Sequence, residues 1–130
     1  MKKQLTAVKE FHNAFGLGVS EMPRADLGES VNMLRFNLMK EENEEYLEAV
    51  QNNDIVEIAD ALGDQLYILC GTILSHGLQH KIEEVFDEIQ RSNMSKLGED
   101  GRPIYREDGK VMKGPNYFKP DFTSILGQEV

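Results

Sequence analysis

The chain has 130 residues, of which 40% are hydrophobic and 28% charged, and its formal net charge is -9. This length predicts one domain over residues 1–130, and the acidic charge argues against a nucleic-acid partner. The longest apolar stretch, residues 61–78, is interrupted by Asp64, Gln65 and His76, so we expect no membrane span. Because Cys70 is the lone cysteine and no secretory h-region opens the sequence, we expect a cytoplasmic protein with a buried thiol.

Apolar residues recur at helical spacing through about the first ninety residues and predict four helices. The predicted helices are "LTAVKEFHNAFG" ending at Gly16, about 31–51 with Ser30 as cap, about 55–76 with Asp54 as cap, and about 80–95. Short connections between helices are typical of a bundle. The predicted fold is therefore all-α, with a four-helix core over about residues 1–96.

The sequence changes character from about residue 97 to residue 130. Asp108-Gly109 lies between two short apolar segments, which is a hairpin signal. Pro115 and Pro120 follow it and disfavour regular structure. We therefore predict a mostly irregular C-terminal extension that carries a short hairpin.

The run "EENEE" brings acidic residues onto the second predicted helix. At about 100° per residue, Glu41, Glu42 and Glu45 fall in the arc that also holds apolar leucines. Glu44 and Glu48 fall outside this arc and are interpreted as solvated charges. Such a run on its own usually marks a solvent-facing helix surface.

The third predicted helix is apolar except for one narrow strip. Glu57, Asp60 and Asp64 are its only acids, they share an arc of about 60°, and no Lys or Arg lies between Ile55 and Gln79. Carboxylates in this setting must be hydrated, protonated, paired across helices or bound to a metal ion.

The short connection between helices two and three predicts antiparallel neighbours. Glu45 then approaches Glu57, and Glu41 or Glu42 approaches Asp60. Because converging like charges are costly, a divalent cation is the natural partner. An oxygen-only ligand set suits Mg2+, with Mn2+ as an alternative, and Mg2+ commonly completes its shell with phosphate oxygens. These residues therefore indicate a di- or triphosphate substrate.

The motifs E-E-x-x-E, at residues 41–45, and E-x-x-D, at residues 57–60, resemble the signature of the all-α MazG-like nucleoside triphosphate pyrophosphohydrolases. This superfamily also includes dimeric dUTPases and phosphoribosyl-ATP pyrophosphohydrolase. The segment "RSNMSKLGEDGRPIYREDGKVMKGPNYF" resembles the C-terminal extension of a subgroup described as phosphoribosyl-ATP pyrophosphohydrolase-like.

The resemblance implies Mg2+-dependent hydrolysis of a nucleoside triphosphate to the monophosphate and pyrophosphate, in nucleotide-pool house-cleaning. It implies that Glu41 orients or deprotonates the attacking water and that the metal ligands are Glu42, Glu45, Glu57 and Asp60. Members usually form dimers, so a homodimer or a dimer of dimers is expected. The second apolar arc of helix two supplies a surface for it: Met39, Tyr46, Leu47 and Val50.

Three further residues are assigned to substrate binding. Asp64, one turn beyond Asp60, would bind an outer metal water or a substrate hydroxyl, or else be solvated. Asn93 and Lys96 match the family's substrate-contact region after the fourth helix and are assigned to the sugar or phosphate, with an exposed helix end as the alternative.

Two other functions remain open from the sequence. One is the phosphoribosyl-ATP pyrophosphohydrolase reaction of histidine synthesis, which shares the metal chemistry but differs in substrate. The other is a non-catalytic, acidic helical interaction module, for which divalent cations would give no stabilisation.

Overall fold

The computed structural model describes residues 1–127, which form two compact units divided between His80 and Lys81. The first unit contains α1 (Lys2–Ala14), α2 (Glu29–Gln51) and α3 (Ile55–Ser75), and the second contains α4 (Ile82–Met94) and the short α5 (Thr123–Leu126). The predicted all-α fold with four main helices is confirmed. The single domain and its core ending near residue 96 stay predictions, and residues 128–130 of the predicted extension lie outside the described part.

In the first unit, α3 packs against both α1 and α2. It is the most apolar of these helices and supplies most of the buried core: Ala61, Cys70, Ile73 and Leu74, joined by Leu5 and Val8 of α1 and Ala49 of α2. The predicted burial of Cys70 is therefore confirmed. Two small residues, Ala49 and Ala61, are buried where α2 and α3 meet near the turn, and they allow the helices to approach closely.

Local sequence determines where these helices begin. Asp54 caps α3 as predicted, because its carboxylate accepts hydrogen bonds from the backbone N–H groups of Val56 and Glu57. The predicted Ser30 cap of α2 is wrong: the N-cap is Gly28, at φ 92°, and no side chain caps this end. Asp26 instead accepts hydrogen bonds from the backbone N–H of Gly28 and from Asn32, which stabilises the loop before α2.

The loop between α1 and α2 satisfies carbonyls at the C-terminal end of α3. Ser20 donates from its backbone N–H to Leu74 O at 2.9 Å and from its hydroxyl to Ser75 O at 2.7 Å. The N–H of Arg24 donates to His76 O at 2.8 Å. The last carbonyls of a helix lack the usual intrahelical donors, and Leu74 O also accepts from Gly77 N–H at 3.1 Å. The loop therefore holds α1 and α3 in one unit.

In the second unit, the extension is hydrogen-bonded along α4. Ser92 Oγ donates to Phe118 O at 2.8 Å, Phe118 N–H donates to Ser95 Oγ at 3.1 Å, and Asp121 N–H donates to Glu88 Oε2 at 2.8 Å. The predicted hairpin is present as one antiparallel bridge between Tyr105 and Val111. Helix α5 was not predicted, and the rest of the described extension is irregular as expected.

Two glycines of α3 provide a matched test of this packing. Gly63→Ala is expected to raise the free energy of unfolding, since a Cβ there meets no atom within 4 Å and alanine is favoured over glycine in helices by about 0.5–1 kcal/mol. Gly71→Ala is expected to lower it, since its Cβ would lie 2.6 Å from Arg35 Nη2 and 2.6 Å from His12 Nε2. Urea unfolding of both variants measures the difference, and equal stabilisation by both would contradict the packing around Gly71.

Candidate metal centre

The turn at residues 52–54 reverses the chain, so α2 and α3 run antiparallel. Asp54 N–H donates to Ala49 O at 3.1 Å, and Asn53 takes a positive φ of 53° in the turn. Farther from the turn, Gln65 Nε2 donates to Asn43 Oδ1 at 3.2 Å. This register places Glu42 of α2 opposite Asp64 of α3.

Three carboxylates converge at this point. Glu42, Glu45 and Asp64 each offer an oxygen, and these oxygens lie within 4.8 Å of one another. The Glu42 Oε2 atom is buried and has no hydrogen-bond partner among the described residues. A buried acceptor without a partner is costly, so this arrangement favours a proton or a cation between the carboxylates.

The electrostatics of Glu42 reflect this crowding. Burial raises the pKa of Glu42 to about 7, and a hydrogen bond with Glu45 acts in the same direction. The charges of Glu45, Asp64 and Glu41 raise this pKa further. Near neutral pH, Glu42 therefore carries a proton for part of the time unless a positive charge replaces it.

An open cleft of about 430 Å³ adjoins this cluster. Its lining residues are Glu45, Glu48, Ala49, Asn52, Glu57, Asp60 and Ala61. Glu45 belongs to both the cluster and the cleft, so the acids of α2 and α3 form one connected site.

The donor atoms fit a hard divalent cation. Carboxylate oxygens are the ligands that Mg2+ and Mn2+ prefer, and the site has no His or Cys that would favour zinc or iron. Such a cation would provide the partner that the buried Glu42 Oε2 lacks.

Comparison with known proteins identifies the family. Residues 8–93 match the family model described as phosphoribosyl-ATP pyrophosphohydrolase. The chain belongs to this family. The predicted MazG-like relationship is confirmed, since that superfamily includes the phosphoribosyl-ATP pyrophosphohydrolases.

Two individual proteins are also similar to this chain. An uncharacterized protein of Acanthamoeba polyphaga mimivirus is 36% identical over 80 residues, which cover 58% of this chain. The matched part is 32% of the viral protein, so the chain spans about a third of that relative. A crystal structure from Exiguobacterium sp. 255-15, itself only proposed to be an NTP pyrophosphohydrolase, matches at 24% identity and a TM-score of 0.48, covering 96% of this chain and 92% of that chain.

The structure places most of the predicted site residues on α2 and α3 and two of them in the second unit. Glu42 and Glu45 lie in the cluster, and Glu57 and Asp60 line the cleft with Glu45. Asp64 offers one of the cluster oxygens, and its predicted role in substrate binding stays a prediction. Glu41 is exposed beside Glu42. The catalytic and metal-binding roles of these residues stay predictions.

Asn93 and Lys96 lie in the second unit, at the C-terminal end of α4 and just beyond it. Asn93 is exposed, and Lys96 is half-buried with its backbone carbonyl accepting from Gly114 N–H at 2.8 Å. Their substrate-binding roles stay predictions. Among residues 1–127, no helix combines the length and apolarity needed to cross a bilayer, and the cytoplasmic location stays a prediction.

Sequence analysis did not identify two features near the site. The Asn43–Gln65 hydrogen bond links α2 to α3 beside Glu42 and Asp64. Arg35 is buried and bonded to α3. One signal could have found Arg35, because a residue seven positions before Glu42 shares its helix face.

The raised pKa of Glu42 predicts a stability change with pH in the chelated protein. A folded pKa of about 7, above the ordinary 4.5, means that stability is lost as the pH rises through 7. We expect the free energy of unfolding to fall between pH 6.5 and 8, and to fall less in Glu42→Gln. The measurement is urea unfolding in EDTA at both pH values.

The control for this experiment is Glu44→Gln, because Glu44 is exposed on the same helix and paired with Lys40. The pH window begins at 6.5 because His12 changes the free energy of unfolding in the opposite direction. Burial lowers the pKa of His12, so the stability that neutral His12 contributes is lost as the pH falls below this window. An unchanged pH dependence in Glu42→Gln would refute the assignment to Glu42.

Proposed function

We propose that this member of the phosphoribosyl-ATP pyrophosphohydrolase family hydrolyses nucleoside triphosphates to the monophosphate and pyrophosphate, with Mg2+, in nucleotide-pool house-cleaning. The observation that carries the proposal is the convergence of Glu42, Glu45 and Asp64, with one buried oxygen left without a partner. The adjoining acid-lined cleft supports it, since a polyanionic substrate would be repelled there without cations.

The site residues divide into two roles in this proposal. The ligands of Mg2+ would be Glu42, Glu45, Glu57 and Asp60. Asp64 would contribute its own carboxylate oxygen, which lies in the cluster with those of Glu42 and Glu45. Bound Mg2+ neutralises phosphate charge and makes water a better nucleophile. Glu41, exposed next to Glu42, would orient the attacking water and accept its proton.

The reaction is an in-line displacement at the α-phosphorus. A bond forms between the water oxygen and this phosphorus, the bond to the α–β bridging oxygen breaks, and pyrophosphate leaves. The proton of the water passes to Glu41. The protein supplies positioning and charge, because phosphoryl transfer needs little covalent chemistry from side chains.

Phosphoribosyl-ATP is the second candidate substrate, favoured by the family match over residues 8–93. It carries the same triphosphate and would be cleaved at the same bond. The two candidates therefore differ in what contacts the base and sugar, for which Asn93 and Lys96 of the second unit are our proposed residues.

We also propose that the chain acts as a homodimer or a dimer of dimers, without nucleic acid or membrane as a partner. The predicted interface on α2 includes exposed apolar side chains at Tyr46, Leu47 and Val50. Apolar side chains are also exposed in a stripe on α3: Ile55, Leu62, Leu66 and Leu69. Sedimentation velocity of wild type and Leu47→Glu tests the proposal, and a monomeric wild type would contradict it.

The function is tested by pyrophosphate release from a panel of canonical and modified nucleoside triphosphates and phosphoribosyl-ATP, with Mg2+, Mn2+ or EDTA. Glu42→Gln and Asp60→Asn should each lower kcat/KM by more than about 100-fold, since even outer-shell partners of metal ligands commonly cost 10- to 100-fold. Both should fold, because each removes a repelling charge. Glu44→Gln is the matched control and should retain activity.

Each outcome of this panel decides between the candidates. Cleavage of phosphoribosyl-ATP alone selects the second substrate. Wild-type activity retained in both Glu42→Gln and Asp60→Asn would remove the metal-site argument. Silence across the panel, with no thermal shift on adding Mg2+, would favour the non-catalytic interaction module.

The role of Lys96 is tested separately. A cation that contacts a phosphate or sugar in the bound substrate should raise KM or lower kcat when it is removed. Lys96→Ala is therefore expected to lower kcat/KM, with Lys110→Ala of the exposed hairpin as the control. An unchanged kcat/KM in Lys96→Ala would reject the assignment.

A further inference from the structure

Arg35 is a buried cation on the face of α2 that packs against α3. Its residue is only 6% exposed, and its guanidinium donates from Nε to Thr72 Oγ1 at 3.0 Å and from Nη2 to Ile68 O at 2.9 Å. Burial lowers the pKa of Arg35, although an arginine side chain stays protonated in proteins. A buried guanidinium is stable only when its hydrogen bonds are satisfied, so these contacts hold α2 and α3 in a defined relation.

The acceptors of Arg35 are themselves oriented. Thr72 Oγ1 donates to Ile68 O at 2.9 Å, so its lone pairs are available to the guanidinium. The planar fork of arginine reaches both acceptors at once, whereas lysine would offer one flexible ammonium. The two hydrogen bonds therefore require an arginine, and they fix its position along α3.

The position of Gly71 shows how closely the guanidinium is seated. A Cβ at residue 71 would lie 2.6 Å from Arg35 Nη2 and 2.6 Å from His12 Nε2, closer than side chains pack. His12 is buried and donates from Nδ1 to Gly18 O at 3.2 Å. Helix α1 therefore closes the space beside Arg35, and the guanidinium has little freedom to slide along α3.

The same register determines which acids meet. Glu42 lies seven residues after Arg35, which is about two turns along one helix face. Asp64 lies four residues, or about one turn, before Ile68 on the antiparallel helix. A slip of one helical turn, about 5.4 Å, would exceed the 4.8 Å within which the oxygens of Glu42, Glu45 and Asp64 now lie.

We propose that Arg35 is a positioning residue for the acidic site: by binding Ile68 O and Thr72 Oγ1 it sets the α2–α3 register that brings Glu42 to Asp64. The Asn43–Gln65 hydrogen bond joins the same helices at 3.2 Å but lies nearer solvent, so it contributes less. The proposal concerns the geometry of the site and rests on the proposed function only for its catalytic consequence.

The register is tested first, without metal. In a Cys70→Ala background, Asn43→Cys and Gln65→Cys place thiols at two positions that now share a hydrogen bond. Disulfide formation under mild oxidation should be rapid in this triple variant, in which Arg35 is unchanged. Arg35→Met, which retains length and apolar bulk but removes the donors, should slow it by at least about tenfold. Thr72→Val, which replaces the hydroxyl acceptor of Arg35 Nε with a methyl group, should slow it as well.

The control for general loosening is Leu74→Ala. Leu74 is 1% exposed on α3, so its truncation should cost stability comparable to the loss of Arg35 while leaving the register unchanged. All variants are compared at a temperature where circular dichroism shows them folded. Equal cross-linking rates in Arg35→Met and its parent would overturn the proposal, as would equal slowing by Leu74→Ala.

The consequence for the site is measured as Mn2+ affinity by isothermal titration in chains without the added cysteines. Arg35→Met should weaken Mn2+ binding by at least about tenfold, Arg35→Lys should recover part of the loss, and Leu74→Ala should have little effect. Wild-type Mn2+ affinity in folded Arg35→Met would overturn the positioning role. A wild type without turnover, in which cross-linking still depends on Arg35, would reject the proposed function and support the positioning role.

Discussion

The mutual repulsion of carboxylates held close together is the constraint on which this structure depends. Glu42, Glu45 and Asp64 bring their oxygens within 4.8 Å of one another, and one Glu42 oxygen is buried without a partner. Such an arrangement costs free energy in the isolated chain and is retained only where the surrounding packing holds it. Burial raises the pKa of Glu42 to about 7, and the neighbouring charges of Glu45, Asp64 and Glu41 raise it further.

The contact between α2 and α3 is the packing that holds these carboxylates together despite their repulsion. Small side chains at Ala49 and Ala61 let the helices approach near the turn, and the Asp54 cap fixes where α3 begins. Farther along, the buried guanidinium of Arg35 joins the helices by two hydrogen bonds. The acids lie between these two fixed points, so they cannot separate without disturbing one of them.

The apolar character of α3 also bears on assembly. Its buried side contacts α1 and α2, while a stripe that includes Leu62 and Leu66 is exposed. Contiguous exposed apolar surface is a common feature of interaction sites, and the proposed dimer interface draws on this stripe.

Much of this could be predicted from the sequence, because the signals are local. The 3.6-residue periodicity predicts four helices, Asp54 is a strong cap, and Asp108-Gly109 predicts the hairpin. The placement of the acids on apolar faces indicated that they converge. The Ser30 cap was wrong because Gly28 and Asp26 together offered a loop geometry that single-residue preferences do not describe.

What only the tertiary structure decided is which of these acids meet, and what holds them there. The sequence by itself determined that Glu42 and Glu45 lie on one face of α2 and that Glu57, Asp60 and Asp64 share a strip of α3. It did not determine that Asp64 joins Glu42, or that Arg35 and Gly71 fit together, because both depend on the register between two helices. That register is set by contacts between residues far apart in the chain, whereas periodicity and capping act only between near neighbours.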